Sequence, residues 1–335
     1  MKKKILFTHQ LPFKPFSVLD EWFDFIRPQS PAFSRDDLIE YLPEADVVVS
    51  VFGNRFDSDL INTGSVLKLI ANYGAGVDNI DLEEATKNGI VVTNTPDSVT
   101  EPTAELAMGL MVDIARRISE LDRRLKDDNI SSWGVMDNLS TTLYGKTLGI
   151  IGMGAIGRSL AKRARAFGME IIYHNRNRVD SEIEEKLDAR YTDIESLLRN
   201  SDFVSLNVPL TPDTNDLISI SELKMMKSSA FLINTARGPV LNQEALIEAL
   251  KNKEIAGAAL DVFENEPEVP EQLKKMPNVV VSPHVGSGTY ETREIMSKQV
   301  ADIIKDFFDG MGGVPAVNSE VWGSSSLRVK NEING

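Results

Sequence analysis

Short apolar runs recur along the chain, and helix-forming stretches fill most of the gaps between them. The runs are Ile5–Thr8, Asp46–Val51, Leu67–Ala71, Ile90–Thr93, Thr147–Ile151, Glu170–Tyr173, Phe203–Asn207, Ala230–Asn234, Gly257–Leu260 and Val279–Ser282. Most are continuously apolar rather than alternating, as expected for strands covered on both faces of a parallel sheet. Strand alternating with helix at this spacing predicts an α/β protein. No repeat of fixed period and no low-complexity tract interrupts the pattern.

Two longer helices stand out. Residues 100–126 predict one continuous helix. Pro102 suits its first turn, and Ala107, Leu110, Met111, Ile114, Ile118, Leu121 and Leu125 recur at helical spacing. Arg116, Arg117, Glu120, Arg123 and Arg124 lie on its far face. Tyr290–Phe308 carries a second stripe of Ile295, Ile303, Ile304, Phe307 and Phe308. If both helices cross between domains, residues 101–286 form a domain inserted into a discontinuous one made of 1–100 and 287–335. The Gly/Ser-rich, polar tail after Gly310 is expected to be loosely held. Residues 129–142 are aperiodic, and Trp133 within them is expected to be a packing anchor or an oligomer contact rather than a substrate group.

Composition narrows the function. A chain of 335 residues exceeds one ordinary core, in line with two domains. No run approaches the roughly 18 apolar residues needed to span a bilayer, and the apolar stretch after Lys2-Lys3-Lys4 is too short for a signal peptide. There is no cysteine, which excludes disulfides and thiol chemistry and fits a cytoplasmic address. Three scattered histidines, at 9, 174 and 284, give no metal-ligand spacing. The formal charge of −14 argues against nucleic-acid binding. Any anionic ligand must therefore be held by local positive groups.

The most specific segment is Thr147 to Gly157. An apolar strand stops at Gly152-Met153-Gly154-Ala155-Ile156-Gly157, a G-x-G-x-x-G turn, and a helix-forming stretch from Arg158 to Phe167 follows. In that context the motif predicts dinucleotide binding. Gly152 permits the tight turn, Gly154 leaves room for a pyrophosphate, and Gly157 allows close helix–strand packing. The helix N-terminus offers free N–H groups to the anion.

Ligands of open α/β sheets bind outside the carboxyl ends of the strands. Val208-Pro209 follow one predicted strand, and Thr235-Ala236-Arg237-Gly238-Pro239 follow another. Two more lead into Asp261 through Pro267, which includes Glu266, and into Pro283-His284-Val285-Gly286-Ser287. A guanidinium, a carboxylate and an imidazole thus emerge at one sheet edge. Singly, each has a bland alternative as a cap, a solvated loop charge or a packed ring.

At these residues the chain resembles the D-isomer-specific 2-hydroxyacid dehydrogenases. The matching segments are Asn72 through Asp81 (N-Y-G-A-G-V-D-N-I-D), Gly145 through Gly157, Asn234 through Pro239, Asp261 through Pro267 and Ser282 through Ser287, in family order over about residues 45–310. Within the family, the glyoxylate/hydroxypyruvate reductases and their 2-ketogluconate reductase relatives are most similar. The resemblance implies two Rossmann-like or flavodoxin-like parallel-sheet domains, with the nucleotide-binding domain inserted in the substrate domain. It also implies a homodimer and reduction of a small 2-keto acid to the D-2-hydroxy acid. Arg237 would bind the substrate carboxylate and polarise the ketone. Backbone N–H groups of Gly74-Ala75-Gly76 would hold the rest of the carboxylate. His284 would give the proton, or take it in the oxidative direction, and Glu266 would bond its other ring nitrogen. Ala155, Ile156, Val208, Pro209, Thr214, Thr235, Ala236, Asp261 and Gly286 are implied cofactor contacts. Asp261 can equally be a structural carboxylate at a strand end.

The corner after the second strand of the nucleotide domain sets cofactor choice. It reads His174-Asn175-Arg176-Asn177-Arg178, with no acid until Asp180. An acid there would bond the ribose 2′-hydroxyl of NAD; Asn175 and Arg176, with Arg178 as a second guanidinium, suit the 2′-phosphate of NADP. The expected cofactor is NADP, with NAD possible. His174 reads as a flank of the adenosine site or as an exposed residue. Val51, Phe52 and Gly53 either line the substrate pocket or pack. Two other activities fit the same pattern: a biosynthetic dehydrogenase acting on a phosphorylated hydroxy acid, which the short tail disfavours, and a cofactor-sensing interaction protein.

Overall fold

Runs such as Val47-Val48-Val49, Leu69-Ile70-Ala71 and Leu232-Ile233 are wholly buried, because both faces of their sheets are covered. A computed structural model describes residues 2–127, 129–130, 133–309 and 314–328. The chain divides into two compact units, residues 1–99 with 289–335 and residues 100–288.

The first unit holds five strands: β1 (Lys3–Phe7), β2 (Phe23–Ile26), β3 (Val47–Ser50), β4 (Leu69–Asn72) and β5 (Val91–Thr93). All pairs are parallel, in the order β2-β1-β3-β4-β5. That is a flavodoxin-like arrangement. One face packs on the helix Tyr290–Phe308 through Met296, Val300, Ile304 and Phe307; the other buries Leu38, Leu60, Ile61 and Ala85.

The second unit holds β6 (Thr147–Ile151), β7 (Glu170–His174), β8 (Ala189–Tyr191), β9 (Phe203–Leu206), β10 (Phe231–Asn234), β11 (Gly257–Leu260) and β12 (Val279–Val281). The order β8-β7-β6-β9-β10-β11-β12 is again all parallel. Strand order reverses between β6 and β9, as in a Rossmann sheet, where the ligand crevice opens. The helices Thr100–Arg116 and Ala155–Ala166 cover one face through Ala104, Ala107, Met111, Leu160 and Ala164.

Two sequence expectations need correction, two edge strands escape the apolar pattern, and the reading of Trp133 is narrowed. The helix over 100–126 breaks at Arg117, which adopts a left-handed conformation with φ 57°. Asp113 captures both the backbone N–H and the hydroxyl of Ser119, ending one helix at Arg116 and starting another at Ile118. The sheet edges β2 and β8 carry no long apolar run. Asp24 and Arg190 interrupt them, since an edge strand needs less burial.

The tail is not loosely held where it is described. Val314, Val321 and Leu327 are buried in the first unit's core. Asn318, 1% exposed, donates to Ile90 O and accepts from Val92 N–H, so it occupies the free side of β5. Residues 310–313 and 329–335 lie outside the described residues. Trp133 is no packing anchor within the described chain: it is 84% exposed, beside Val135 and Met136 at 94% and 75%. No described helix is long and apolar enough to cross a membrane.

Candidate active site

The glycine turn follows from steric limits at three positions. Gly152 has φ 102°, a left-handed value that disfavours any side chain, and a methyl there would meet Asn207 O of the adjacent β9 loop at 2.6 Å. A methyl on Gly157 would lie 2.2 Å from Gly152 O, so the helix Ala155–Ala166 packs tightly against the turn. Gly154 is different: nothing stands within 4 Å of a methyl added there, and its outward face is open. It is the N-cap and supplies no side-chain oxygen, which leaves Ala155 and Ile156 without a side-chain cap. Met153 is held from both ends, its N–H donating to Asn175 Oδ1 at 2.6 Å and its carbonyl accepting from Arg158 Nε at 3.1 Å. An open, uncapped helix start on a rigid turn fits a pyrophosphate.

The adenosine corner is less basic than the sequence suggests. Arg178 donates to both carboxylate oxygens of Glu184, at 2.8 and 2.7 Å, and Glu184 is held down at about 2 by that pair and by Tyr173. Arg178 is thereby already paired with Glu184. Arg176 is exposed and has no ion pair among the described residues. His174 accepts or donates at Thr192 O and stacks on Tyr191, with ring centres 6.0 Å apart, as a flanking group would. Thr214 turns its hydroxyl inward, to Pro209 O at 2.6 Å and Thr211 N–H at 2.8 Å.

Three strand ends carry the charged groups. After β10, Asn234 folds the turn, accepting from Ala236 N–H and donating to Arg237 O, both at 3.0 Å. Thr235 and Ala236 are buried there, at 7% and 8% exposure. A methyl on Gly238 would fall 2.0 Å from Phe263, so the Arg237 turn abuts the β11 loop. In that loop Glu266 Oε1 accepts from Phe263 N–H at 3.0 Å, which leaves Oε2 to meet His284 Nδ1 at 2.6 Å. With a carboxylate as acceptor, Nδ1 carries the hydrogen, and Nε2 is the nitrogen available for proton exchange.

Asp261 is the post on which the histidine loop hangs. It is fully buried, and its oxygens accept from Ser282 Oγ at 2.6 Å and from the N–H groups of Val285 and Gly286 at 2.9 Å. Its own carbonyl accepts from His284 N–H at 2.8 Å. These bonds hold His284 at φ 52°, an uncommon conformation for a side-chain residue. Burial pushes the Asp261 carboxyl upward, against the opposing pull of Ser282, the loop N–H groups and the His284 charge. For Glu266, burial is also the largest influence and acts upward. The His284 bond and charge, Phe263 N–H and the Arg237 charge together outweigh it and hold the carboxyl below its usual value.

The structure therefore brings Arg237, Glu266 and His284 into one cluster at the carboxyl edge of the second sheet. The Gly74-Ala75-Gly76 loop belongs to the first unit, where it follows β4. Sequence reasoning missed Arg158 and Ser282, which act only through contacts that spacing does not reveal.

Fold and cluster together describe a dinucleotide-binding fold with a bonded histidine–glutamate pair beside the Arg237 turn. Residues 108–286 match the D-isomer specific 2-hydroxyacid dehydrogenase, NAD binding domain. The chain belongs to the D-isomer specific 2-hydroxyacid dehydrogenase family. It is 46% identical to the glyoxylate reductase of Thermococcus litoralis over 97% of this chain and 99% of that protein. Among solved structures, it resembles the NADPH-dependent glyoxylate/hydroxypyruvate reductase of Sinorhizobium meliloti in complex with NADP and malonate. That likeness has 31% identity and TM-score 0.82, covering 98% of each chain. The D-lactate dehydrogenase of Aquifex aeolicus, complexed with NAD and lactic acid, is 27% identical with TM-score 0.80, covering 92% of this chain and 96% of that one.

Proposed function

We propose that this protein reduces a small 2-keto acid, of the size of glyoxylate, hydroxypyruvate or 2-ketogluconate, to the D-2-hydroxy acid. A bound nicotinamide supplies the hydride. His284 Nε2 gives a proton to the ketone oxygen as charge develops on it. Glu266 fixes the ring through Nδ1 and carries the compensating charge. Arg237 binds the carboxylate and the ketone oxygen with one rigid fork. The Gly74-Ala75-Gly76 loop supplies backbone N–H donors for a carboxylate. The 2.6 Å His284–Glu266 bond beside the Arg237 turn carries this reading, because it fixes the tautomer that leaves Nε2 for proton exchange.

The cofactor we assign is NADPH. The chain after β7 carries no acid before Asp180, and Arg176 stands there without an ion-pair partner among the described residues. A kinetic matrix of NADPH and NADH against glyoxylate, hydroxypyruvate, 2-ketogluconate and pyruvate tests both parts. At least one keto acid is expected to turn over readily, with NADPH giving the higher kcat/KM. Arg176→Ala is expected to lower kcat/KM for NADPH by about 10- to 100-fold, the loss of one charged phosphate contact, while leaving NADH nearly unchanged. A higher kcat/KM for NADH with every substrate overturns the cofactor assignment.

A homodimer is proposed with the activity. Ile118, Leu125, Trp133, Val135, Met136 and Leu139 are more than half exposed on neighbouring stretches of chain, apolar surface that a second copy would cover. Sedimentation at micromolar concentration is expected to give twice the chain mass, and Trp133→Glu with Met136→Glu to shift it toward one.

A further inference from the structure

Asn72 ends β4 only 2% exposed, and its side chain is divided between Ser50 and the glycine loop. Its Oδ1 accepts from the fully buried Ser50 hydroxyl at 2.8 Å, which fixes the amide the other way round. Its Nδ2 then donates to Gly76 O at 2.8 Å and Gly74 O at 3.3 Å. Asn94 Nδ2 donates to the carbonyl between them, Ala75 O, at 2.7 Å, and Thr95 N–H adds a bond to Gly74 O at 2.9 Å.

All three carbonyls of the loop are thus drawn to one side. A peptide plane that turns its carbonyl inward turns the following N–H outward. The N–H groups of Ala75 and Gly76 have no acceptor among the described residues. Adjacent free N–H groups held by a rigid backing make an anion-binding concavity. The backing must be polar and fully bonded, because an unpaired amide there would cost more than an apolar core.

We propose that Asn72, backed by Ser50 and helped by Asn94, is the positioning residue that forms the substrate-carboxylate nest on Gly74-Ala75-Gly76. The assignment rests on the keto-acid reductase reading above. Asn72 touches no ligand; it acts by holding the carbonyls away from the anion. An aspartate at this position would set a negative oxygen against two carbonyls, and an alanine would release Gly76 O and leave Gly74 O with Thr95 N–H alone.

The test compares wild type with Asn72→Ala in two assays. In steady state, KM for the keto acid is expected to rise at least tenfold, kcat to fall less, and KM for NADPH to stay within twofold. In calorimetry on the NADPH-loaded protein, oxalate is expected to bind at least tenfold more weakly to the variant, with no turnover required. Should Asn72→Ala fail to fold, Ser50→Ala, which removes only the hydroxyl behind the amide, is expected to weaken oxalate binding about threefold. Unchanged KM and unchanged oxalate affinity overturn the proposal while the reductase reading stands. Parallel losses in NADPH and keto-acid KM also overturn it, since they report general damage. If wild type reduces no keto acid, the reductase reading falls, and oxalate affinity still decides whether Asn72 builds the nest.

Discussion

Replacing His284 by alanine is expected to lower kcat by about 10²- to 10⁴-fold, the usual worth of a positioned general acid, with little change in NADPH affinity. The alanine keeps the loop, because the bonds that shape it run from Asp261 to backbone N–H groups and Ser282 rather than to the imidazole. Single-turnover reduction with excess enzyme separates this chemical loss from product release. Glu266→Gln is expected to cost less in kcat, since the glutamine can still orient the ring but carries no charge. The pH dependence of stability should separate the same two variants. The Glu266 carboxyl is held below its ordinary value in the folded protein, so its ionised form stabilises the fold. That contribution is present above the unfolded carboxyl value of about 4.3 and is lost as pH falls through the lower folded value. Denaturant melts of wild type and Glu266→Gln should therefore converge in acid. A gap between them that widens as pH falls would contradict the assignment.

Arg237→Lys is expected to lower kcat/KM for the keto acid by about 10²- to 10³-fold, the range seen when one transition-state donor is removed. Lysine keeps the charge and loses the planar fork, so the size of the loss reports geometry rather than electrostatics. Two controls bear on the reading. NADPH affinity should stay within a few-fold, because the glycine turn lies on β6 and the Arg237 turn on β10. Guanidinium ion added to Arg237→Ala should restore part of the rate. If Arg237→Lys retains wild-type kcat/KM, the guanidinium is structural, in keeping with its Nη1 donating to Ala236 O at 2.7 Å.

Backbone periodicity and the places of the central strands along the chain were legible in the sequence. Thr147–Ile151 and Gly257–Leu260 stand in the sheet with the limits that the apolar pattern predicts, and the remaining central strands shift by a residue or two at their ends. Buried parallel strands announce themselves because both faces must be apolar. The rule that places ligands at their carboxyl ends then selects the loops holding Arg237, Glu266 and His284.

Other features were decided by single contacts between residues far apart in the chain. The break at Arg117 depends on Asp113 reaching Ser119, and Arg178 is paired because Glu184 comes beside it. The tail docks on β5 through one asparagine, Asn318, whose letter in the sequence looks like any loop residue. The two rows of the nest, Ser50–Asn72 and Asn94–Ala75, join strands that only the fold makes neighbours. Taken alone, the order of residues determined which segments are strands, which turn receives a phosphate and which charged groups emerge at one edge. All of these follow from period and local sterics. Tertiary structure alone decided which side chains are free and which are already spent, because a hydrogen bond needs two partners and the chain lists only one at a time.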